Sequence, residues 1–160
     1  MPVAQFAVRQ ASADDARGMA ELFAAVAAER DGIASEPPID IAQRTTQFAD
    51  SVASSAIAVA DGQVIGMIHV EASRHGFGEI GMLVDRAWRG RGVGSALIQA
   101  AIALGREQGL HKLSLEVFSR NTAAIALYRK CGFLEEGRRT GQYRRASGEL
   151  WDTIIMGLAL

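Results

Sequence analysis

The stretch WRGRGVGSALIQAAIALG, from Trp88 to Gly105, places three glycines and two arginines directly ahead of an uninterrupted helical pattern. A helix N-terminus presents unpaired backbone N–H groups and about half a positive charge, so it attracts phosphate oxygens. The glycines remove the Cβ atoms that would block such a group, while Arg89 and Arg91 can add charge-assisted hydrogen bonds. The stretch from Arg89 to Ser95, here called the glycine loop, therefore predicts a site for a polyphosphate or pyrophosphate.

Other interpretations of the glycine loop compete with this one. A Walker-type P-loop requires the pattern G-x-x-x-x-G-K-[ST], and no lysine stands near the loop, which excludes it. A dinucleotide-binding fold is suggested by Gly90 and Gly92 and by Glu116, which stands about where a ribose-binding acid belongs. Ser95, however, occupies the third glycine position, and DRAWR separates strand from glycines, which disfavours a nicotinamide-dependent oxidoreductase. Close helix packing also favours glycine, and it is the minority interpretation here.

The composition bounds the class of protein. The chain has 160 residues, of which 49% are hydrophobic, and a formal net charge of -1, so we expect one domain over residues 1–160 and no nucleic-acid or membrane partner. Cys131 is the only cysteine, which excludes an internal disulfide. No apolar run reaches the length of a bilayer and no signal peptide is evident, so a cytoplasmic protein is expected. His69, His75 and His111 lack metal-ligand spacing, so we assign no metal.

Hydrophobic periodicity and turn residues predict eleven elements in the order βααβββαβαββ. The predicted helices are Asp14 to about Glu29, with a capping box from Ser12 to Asp15, then Ile39 to Ser51, Gly92 to Gly109, and Asn121 to Gly132. The predicted strands are Val3 to Arg9, a hairpin pair joined at Asp61-Gly62, Gly78 to Val84, Lys112 to Phe118, Leu134 to Tyr143 and Leu150 to Leu158. Several strands are apolar on both faces, which predicts a sheet covered on both sides in an α/β fold.

Two blocks of the sequence resemble the GNAT superfamily of N-acetyltransferases. The pyrophosphate loop of that family reads [RQ]-x-x-G-x-[GA], and Arg89, Gly92 and Gly94 match it. The segment NTAAIALYRKCGF, Asn121 to Phe133, is similar to the family pattern N-x-x-A-x-x-L-Y-x-x-x-G-F at every fixed position. With the N-terminal VRQASADDA and the element order, the resemblance spans nearly the whole chain. It implies a mixed, mostly antiparallel sheet with helices on both faces.

The resemblance implies acetyl-CoA as the cosubstrate. Its pyrophosphate would lie on the backbone of the glycine loop, and its pantetheine arm would add like a strand where the sheet splays. The implied cofactor-binding residues are Met82, Leu83, Val84, Arg89, Gly90, Arg91, Gly92, Val93, Gly94, Ser95, Asn121, Ala124 and Tyr128.

The resemblance also implies catalytic roles. Tyr128 would donate a proton or a hydrogen bond to the departing thiolate, an uphill transfer of about 2 kcal/mol between a phenol of pKa about 10 and a thiol of about 8.5. Glu79 stands where several family members carry the glutamate that takes the proton of the amine. Backbone N–H groups around Leu83 and Val84 would hold the developing oxyanion.

The acceptor is predicted from two connections, ERDGIASEPPID and GQYRRASGELWD, and the tail of the chain is most similar to family members acting on amino acids and other small amines. In these connections Glu29, Glu36 and Asp40 are candidates for an ammonium group and Arg144 and Arg145 for a carboxylate, each against the alternative of a solvated surface charge. A protein or peptide N-terminus as acceptor, and a non-catalytic acyl-CoA sensor, remain alternatives. A homodimer is also expected from the family.

Overall fold

The computed structural model describes residues 5–160. Its strands are β1 (Ala7–Gln10), β2 (Ser55–Ala60), β3 (Gln63–Ala72), β4 (Phe77–Val84), β5 (Lys112–Phe118), β6 (Leu134–Arg144) and β7 (Leu150–Ala159). Its helices are α1 (Ala16–Ala28), α2 (Ile41–Ala49), α3 (Val93–Glu107) and α4 (Thr122–Lys130). The predicted order βααβββαβαββ is confirmed, with short 3-10 turns added at Ala13–Asp15, Val52–Ser54 and Arg86–Trp88. The start predicted for the first strand, Val3, lies outside the described residues.

The carboxylate of Asp15 accepts most of the side-chain hydrogen bonds at the N-terminus of α1. Asp15 accepts hydrogen bonds from the Ser12 backbone N–H at 2.7 Å and from both terminal nitrogens of Arg9 at 2.7 and 2.9 Å. These contacts, first the one from Arg9, hold the pKa of Asp15 far below its usual range. The capping box predicted from Ser12 to Asp15 is present, but it closes a 3-10 turn, and the α-helix itself begins at Ala16.

The seven strands form one sheet in the order β1-β2-β3-β4-β5-β7-β6. All neighbouring pairs are antiparallel except β4 and β5. The β2–β3 hairpin turns at Asp61 (φ 49°) and Gly62 (φ 74°), the pair of left-handed residues that the Asp-Gly dipeptide predicts. The mixed, mostly antiparallel sheet is therefore confirmed.

Both faces of the sheet are covered, as the apolar strands predict. On one face α3 and α4 pack over a cluster that includes Ile68, Leu97 and Leu113. On the other face α1 and α2 pack over a smaller cluster that includes Met19 and Met67. Neighbouring residues of β3 such as Met67 and Ile68 point to opposite faces, because side chains alternate along a strand.

The central parallel pair is short. Only Phe77–Glu79 of β4 pairs with Lys112–Ser114 of β5, although β4 runs on to Val84 and β5 to Phe118. Each strand keeps its antiparallel partner along its length, β3 for β4 and β7 for β5. The sheet therefore splits beyond Glu79 into two halves, and the edge of β4 that faces β5 is left without a strand partner.

Candidate active site

The glycine loop exposes its backbone. Gly90 and Gly92 have φ angles of 73° and 85°, and no heavy atom lies within 4 Å of where a Cβ would stand at either position. The first intrahelical bond of α3 joins the Ala96 N–H to the Gly92 carbonyl at 3.1 Å, so the N–H groups of the three residues before Ala96 have no helical acceptor. This arrangement can accept an anion on backbone donors.

Gly94 has a different role in the same loop. A Cβ at this position would lie 2.6 Å from Cδ2 of Leu127 on α4 and 3.6 Å from Cε of Met82 on β4. Close helix packing therefore explains the glycine at position 94. At positions 90 and 92 glycine is favoured because the backbone there is left-handed. The close approach at Gly94 brings together the start of α3, the middle of α4 and the split edge of β4.

The two arginines of the loop differ in their contacts. Arg89 donates from Nη1 and Nη2 to the Glu29 carboxylate at 2.7 and 2.8 Å, and from Nε to the Val84 carbonyl at 3.1 Å. The hydrogen bond to Glu29 raises the pKa of Arg89. The Arg91 guanidinium lies 5.2 Å from the centre of the Trp88 ring and is exposed. Of the two charges predicted to face an anion, that of Arg91 faces solvent and that of Arg89 is engaged by a carboxylate.

The split edge of β4 presents two backbone donors. The Asp85 N–H donates to the Ile65 carbonyl of β3 at 2.8 Å. Because backbone groups alternate sides along a strand, Leu83 also faces β3, while Met82 and Val84 face the side from which β5 diverges. The Leu83 N–H, named in the sequence-based hypothesis, thus points to β3 rather than into the split.

The α4 residues lie against this region. The Asn121 side chain accepts a hydrogen bond from the Ala124 N–H at 3.2 Å and so caps α4. Tyr128, 7% exposed, packs edge-on against Phe133 with ring centres 5.7 Å apart. Burial, and secondarily the neighbouring Cys131 thiol, raise the pKa of Tyr128 to about 12. The phenol therefore keeps its proton at neutral pH, so in a proton transfer it can act as an acid and not as a base.

The face of β4 toward α1 and α2 carries polar groups. Glu79 is exposed, lies opposite Glu71 of β3, and is the last β4 residue paired with β5, where its partner is Ser114. His69 lies opposite Gly81, and a Cβ at Gly81 would lie 2.7 Å from the imidazole Cε1. Burial lowers the pKa of His69, against a smaller opposing effect of Glu71. The sequence predicts of His69 only that it binds no metal, since nothing in the sequence shows that it faces a glycine.

The two connections predicted to choose the acceptor are joined through Arg145. Its side chain is 4% exposed and donates to the carbonyls of Ala34, Arg30 and Ile33 at 2.9, 3.1 and 3.3 Å. The guanidinium also stacks at 4.5 Å from the centre of the Trp151 ring. Arg145 is therefore a buried clamp, which corrects both alternatives left open by the sequence: it is not a solvated charge, and its terminal nitrogens bind backbone carbonyls and not an acceptor carboxylate.

The acidic candidates in these connections also have partners. Glu29 binds Arg89, Glu36 accepts a hydrogen bond from the Ala146 N–H at 2.8 Å, and Asp40 caps α2 by accepting from the Gln43 N–H at 3.0 Å. An open cavity of about 480 Å³ lies between the two connections, lined by Arg30, Glu36, Arg145, Ala146, Ser147, Glu149 and Trp151. The lining is mixed in charge, because Glu36 lies beside Arg30 and Arg145, and Glu149 pairs with Arg120.

Glu116 does not stand where a dinucleotide would need it. It accepts hydrogen bonds from Thr153 at 2.5 Å and Arg139 at 3.0 Å, both on the antiparallel strands at the far edge of the sheet. The mostly antiparallel sheet excludes the dinucleotide fold. Within residues 5–160 no helix is both long and apolar enough to cross a bilayer, and no three His, Cys, Asp or Glu side chains gather as metal ligands.

Comparison with known proteins gives concordant results. The chain matches the family model described as Acetyltransferase (GNAT) family over residues 18–133. It is 30% identical to the L-methionine sulfoximine/L-methionine sulfone acetyltransferase of Pseudomonas aeruginosa, over 96% of this chain and 94% of that protein. It is 34% identical to the L-amino acid N-acetyltransferase AaaT of Escherichia coli, over 62% of this chain and 64% of that protein. The fold matches that of a phosphinothricin acetyltransferase from Sinorhizobium meliloti solved with acetyl-CoA, with a TM-score of 0.86 and 22% identity over 97% of this chain and 88% of the other.

Proposed function

Because the chain belongs to the GNAT acetyltransferase family and is an acetyl-CoA-dependent N-acetyltransferase, we propose that it acetylates the primary amine of a small, amino-acid-like molecule. The reaction is a direct attack of the amine on the thioester within a ternary complex of protein, acetyl-CoA and amine. Residues 1–160 act as one domain. The observation that carries the proposal is the split between β4 and β5 beside the open glycine loop. The acceptor class is supported by the near full-length similarity to the methionine sulfoximine acetyltransferase.

The donor lies along the split in this proposal. The unpaired N–H groups at the start of α3 bind the pyrophosphate, with the exposed Arg91 charge beside them. The N–H groups of Met82 and Val84 face the split and have no strand partner beyond Glu79. They are the donors for the thioester carbonyl oxygen and for the negative charge that forms on it, because fixed backbone dipoles stabilise that charge without reorganising.

The acetyl group passes from sulfur to nitrogen, and groups of the chain act on both the attacking amine and the departing thiolate. The neutral amine forms the C–N bond, the C–S bond breaks, CoA departs as a thiolate, and the nitrogen loses one proton. An α-amino group at a peptide N-terminus, with pKa near 8, costs about 1 kcal/mol to deprotonate at neutral pH, whereas a lysine side chain costs about 4 to 5 kcal/mol. The α-amine of a free amino acid lies between these two, because its own carboxylate stabilises the ammonium form, so the reaction calls for a base.

Glu79 is that base. It is exposed on the face of β4 that also carries Leu83. Helices α1 and α2 cover this face, and Ile33 of the first acceptor connection packs on the same cluster. From there the carboxylate takes the proton of the amine, directly or through water. Glu71 lies opposite on β3 and contributes a second negative charge that attracts an ammonium group.

Tyr128 acts on the leaving group. With its pKa raised to about 12 by burial, complete proton transfer to a thiolate of pKa about 8.5 is uphill by about 5 kcal/mol. Its contribution is therefore a hydrogen bond to the sulfur as negative charge develops there, and CoA leaves as the thiolate.

The test is a panel of amines. The protein is incubated with acetyl-CoA and free amino acids, methionine sulfone, polyamines, aminoglycosides and short peptides, and CoA release is followed with mass confirmation of the product. Acetylated amino acids or their analogues support the proposal. Products only from peptide N-termini contradict it and favour a protein acceptor, and acetyl-CoA binding without any product favours an acyl-CoA sensor. Light scattering on the same preparation tests the homodimer inferred from the family.

A further inference from the structure

One ion pair ties the glycine loop to the end of α1. Arg89 is the first residue of the loop, and its two terminal nitrogens meet the two carboxylate oxygens of Glu29 at 2.7 and 2.8 Å. This parallel, two-bond geometry is the strongest form of the arginine–carboxylate contact. The Glu29 side chain is only 15% exposed and that of Arg89 is 44% exposed, so the carboxylate is shielded from water while part of the guanidinium is not. The two residues are 60 positions apart in the sequence.

Glu29 does not stand where α1 needs an acid. It is the C-terminal cap of the helix, and the last turn of α1 carries no basic residue. A negative charge there opposes the helix dipole, which favours cations at a C-terminus. The stabilising contact of this carboxylate is therefore Arg89, outside its own helix.

Arg89 in turn holds the end of β4. Its Nε donates to the Val84 carbonyl at 3.1 Å, so a single guanidinium joins β4 and α1. Beyond Arg89, Gly90 and Gly92 have no side chains and nothing within 4 Å of a Cβ position. The loop is thus anchored immediately before its unsupported glycines, and the anchor is adjacent to the Val84 backbone that faces the split.

The same end of α1 continues into the acceptor connection. Arg30 follows Glu29 directly, and its carbonyl is one of the three that Arg145 clamps. The donor loop and the acceptor connection therefore share one short segment of chain at residues 29–30. A displacement of this segment reaches both sides of the site.

We propose that Glu29 is a positioning residue for the acyl donor: through Arg89 it fixes the end of β4 and the start of the glycine loop against α1. The inference rests on the proposed donor site in the glycine loop. It assigns Glu29 to donor binding rather than to the ammonium group of the acceptor, and it gives Arg89 a structural partner in place of a phosphate.

The experiment compares Glu29→Gln with Glu21→Gln. Glu21 lies on the same helix and forms a 2.9 Å surface pair with Arg17, away from the loop, so its substitution removes an ion pair of α1 without touching Arg89. Acetyl-CoA affinity is measured by calorimetry, KM and kcat by CoA release, and folding by thermal unfolding. We expect Glu29→Gln to weaken acetyl-CoA binding by about fivefold or more, with a matching rise in KM for acetyl-CoA and a smaller change in kcat. We expect Glu21→Gln to leave acetyl-CoA affinity, KM and kcat unchanged.

Two further variants sharpen the result. Glu29→Asp keeps the charge on a shorter side chain, and we expect an intermediate affinity. If Arg89 and Glu29 act as one unit, the double variant Arg89→Lys/Glu29→Gln binds acetyl-CoA as tightly as whichever single variant has the lower affinity. Glu29→Asp also serves as the test if Glu29→Gln does not fold.

Unchanged affinity, or a lower melting temperature with unchanged affinity, overturns the inference, because Glu29 then supports only the fold. Tighter binding also overturns it, since Glu29 would then compete with the donor for Arg89. Gly92→Ala separates this failure from that of the proposed donor site. If Gly92→Ala weakens acetyl-CoA binding and Glu29→Gln does not, only the inference is lost; if neither does, the donor site is lost with it.

Discussion

Gly94 and Leu127 pack so closely that a Cβ atom at position 94 would lie 2.6 Å from Leu127 Cδ2. The contact joins the first turn of α3 to α4, and therefore joins the two sequence blocks that resemble one family. It shows that one glycine of the loop serves helix packing while its neighbours serve the backbone conformation. The donor site and the position of Tyr128 both depend on this contact, because Tyr128 is the next residue of α4.

Gly94→Ala is expected to destabilise the protein by about 1 to 3 kcal/mol, because the added methyl overpacks the contact with the half-buried Leu127, whose Cδ2 must move to admit it. Urea unfolding measures the loss. Gly32→Ala is the matched control, since its Cβ would meet nothing within 4 Å and its backbone is not left-handed. Recovery of stability in Gly94→Ala/Leu127→Ala relative to Leu127→Ala alone supports the contact; equal losses in Gly94→Ala and Gly32→Ala contradict it.

Gly92→Ala is expected to weaken acetyl-CoA binding about tenfold and to cost about 1 kcal/mol of stability, because alanine disfavours φ of +85°. Gly109→Ala is the control, since Gly109 has a similar φ of +72° and open surroundings at the other end of α3. Both variants should lose similar stability in urea, and only the first should lose affinity in calorimetry. Equal affinities would remove the loop backbone from the donor site.

Tyr128→Phe is expected to lower kcat about a hundredfold, a typical loss when one hydrogen-bond donor to a developing negative charge is removed, with little change in acetyl-CoA affinity. The buried phenol has its pKa raised to about 12, so no loss of rate from its ionisation is expected between pH 7 and about pH 10. Tyr143→Phe, on β6 against Phe118, is the control for the effect of removing a phenol on stability and acetyl-CoA affinity, because Tyr143 lies in an acceptor connection and not at the donor site. Unchanged turnover in Tyr128→Phe removes this residue from the mechanism.

Glu79→Gln is expected to lower kcat most at low pH, where fewer acceptor amines are neutral and the base contributes more. Glu71→Gln is the comparison variant: it removes the charge proposed to attract the ammonium group and leaves Glu79 in place, so it is expected to raise KM for the amine without changing the shape of the pH profile of kcat. Rates measured from pH 6 to 9 decide between the two residues. A profile for Glu79→Gln that runs parallel to the wild type would show that Glu79 is not the base.

Asp15→Asn is expected to destabilise the protein by about 1 kcal/mol at neutral pH, the usual loss for a helix-end carboxylate. The hydrogen bond from Arg9 depresses the pKa of Asp15 in the folded state below its ordinary value near 3.8. The stabilising effect is therefore present above about pH 4 and is lost as the pH falls below it. Thermal unfolding from pH 2.5 to 7 should show the wild type and the variant converge toward low pH. A constant difference across that range would contradict the coupling.

The sequence by itself determined the elements whose causes are local. Element order follows from hydrophobic periodicity, the hairpin at Asp61-Gly62 from the left-handed preference of that dipeptide, and the Asn121 cap from one side chain bonding three residues ahead. These causes act within a few residues, so a single chain read in order reveals them. The residue pattern alone predicts only a phosphate site. The resemblance of two sequence blocks to the family adds acetyl-CoA as the cosubstrate.

Tertiary structure alone decided which groups face the site. Strand register turned Met82 and Val84 toward the split and Leu83 toward β3, and a shift of one residue would reverse this assignment. Contacts between distant segments pair Arg89 with Glu29 and pack Gly94 against Leu127. They also bury Arg145, which donates hydrogen bonds to three carbonyls. A charged side chain has the same local sequence signal whether it binds substrate or another residue. Its partner is chosen by the packing of elements far apart in the chain.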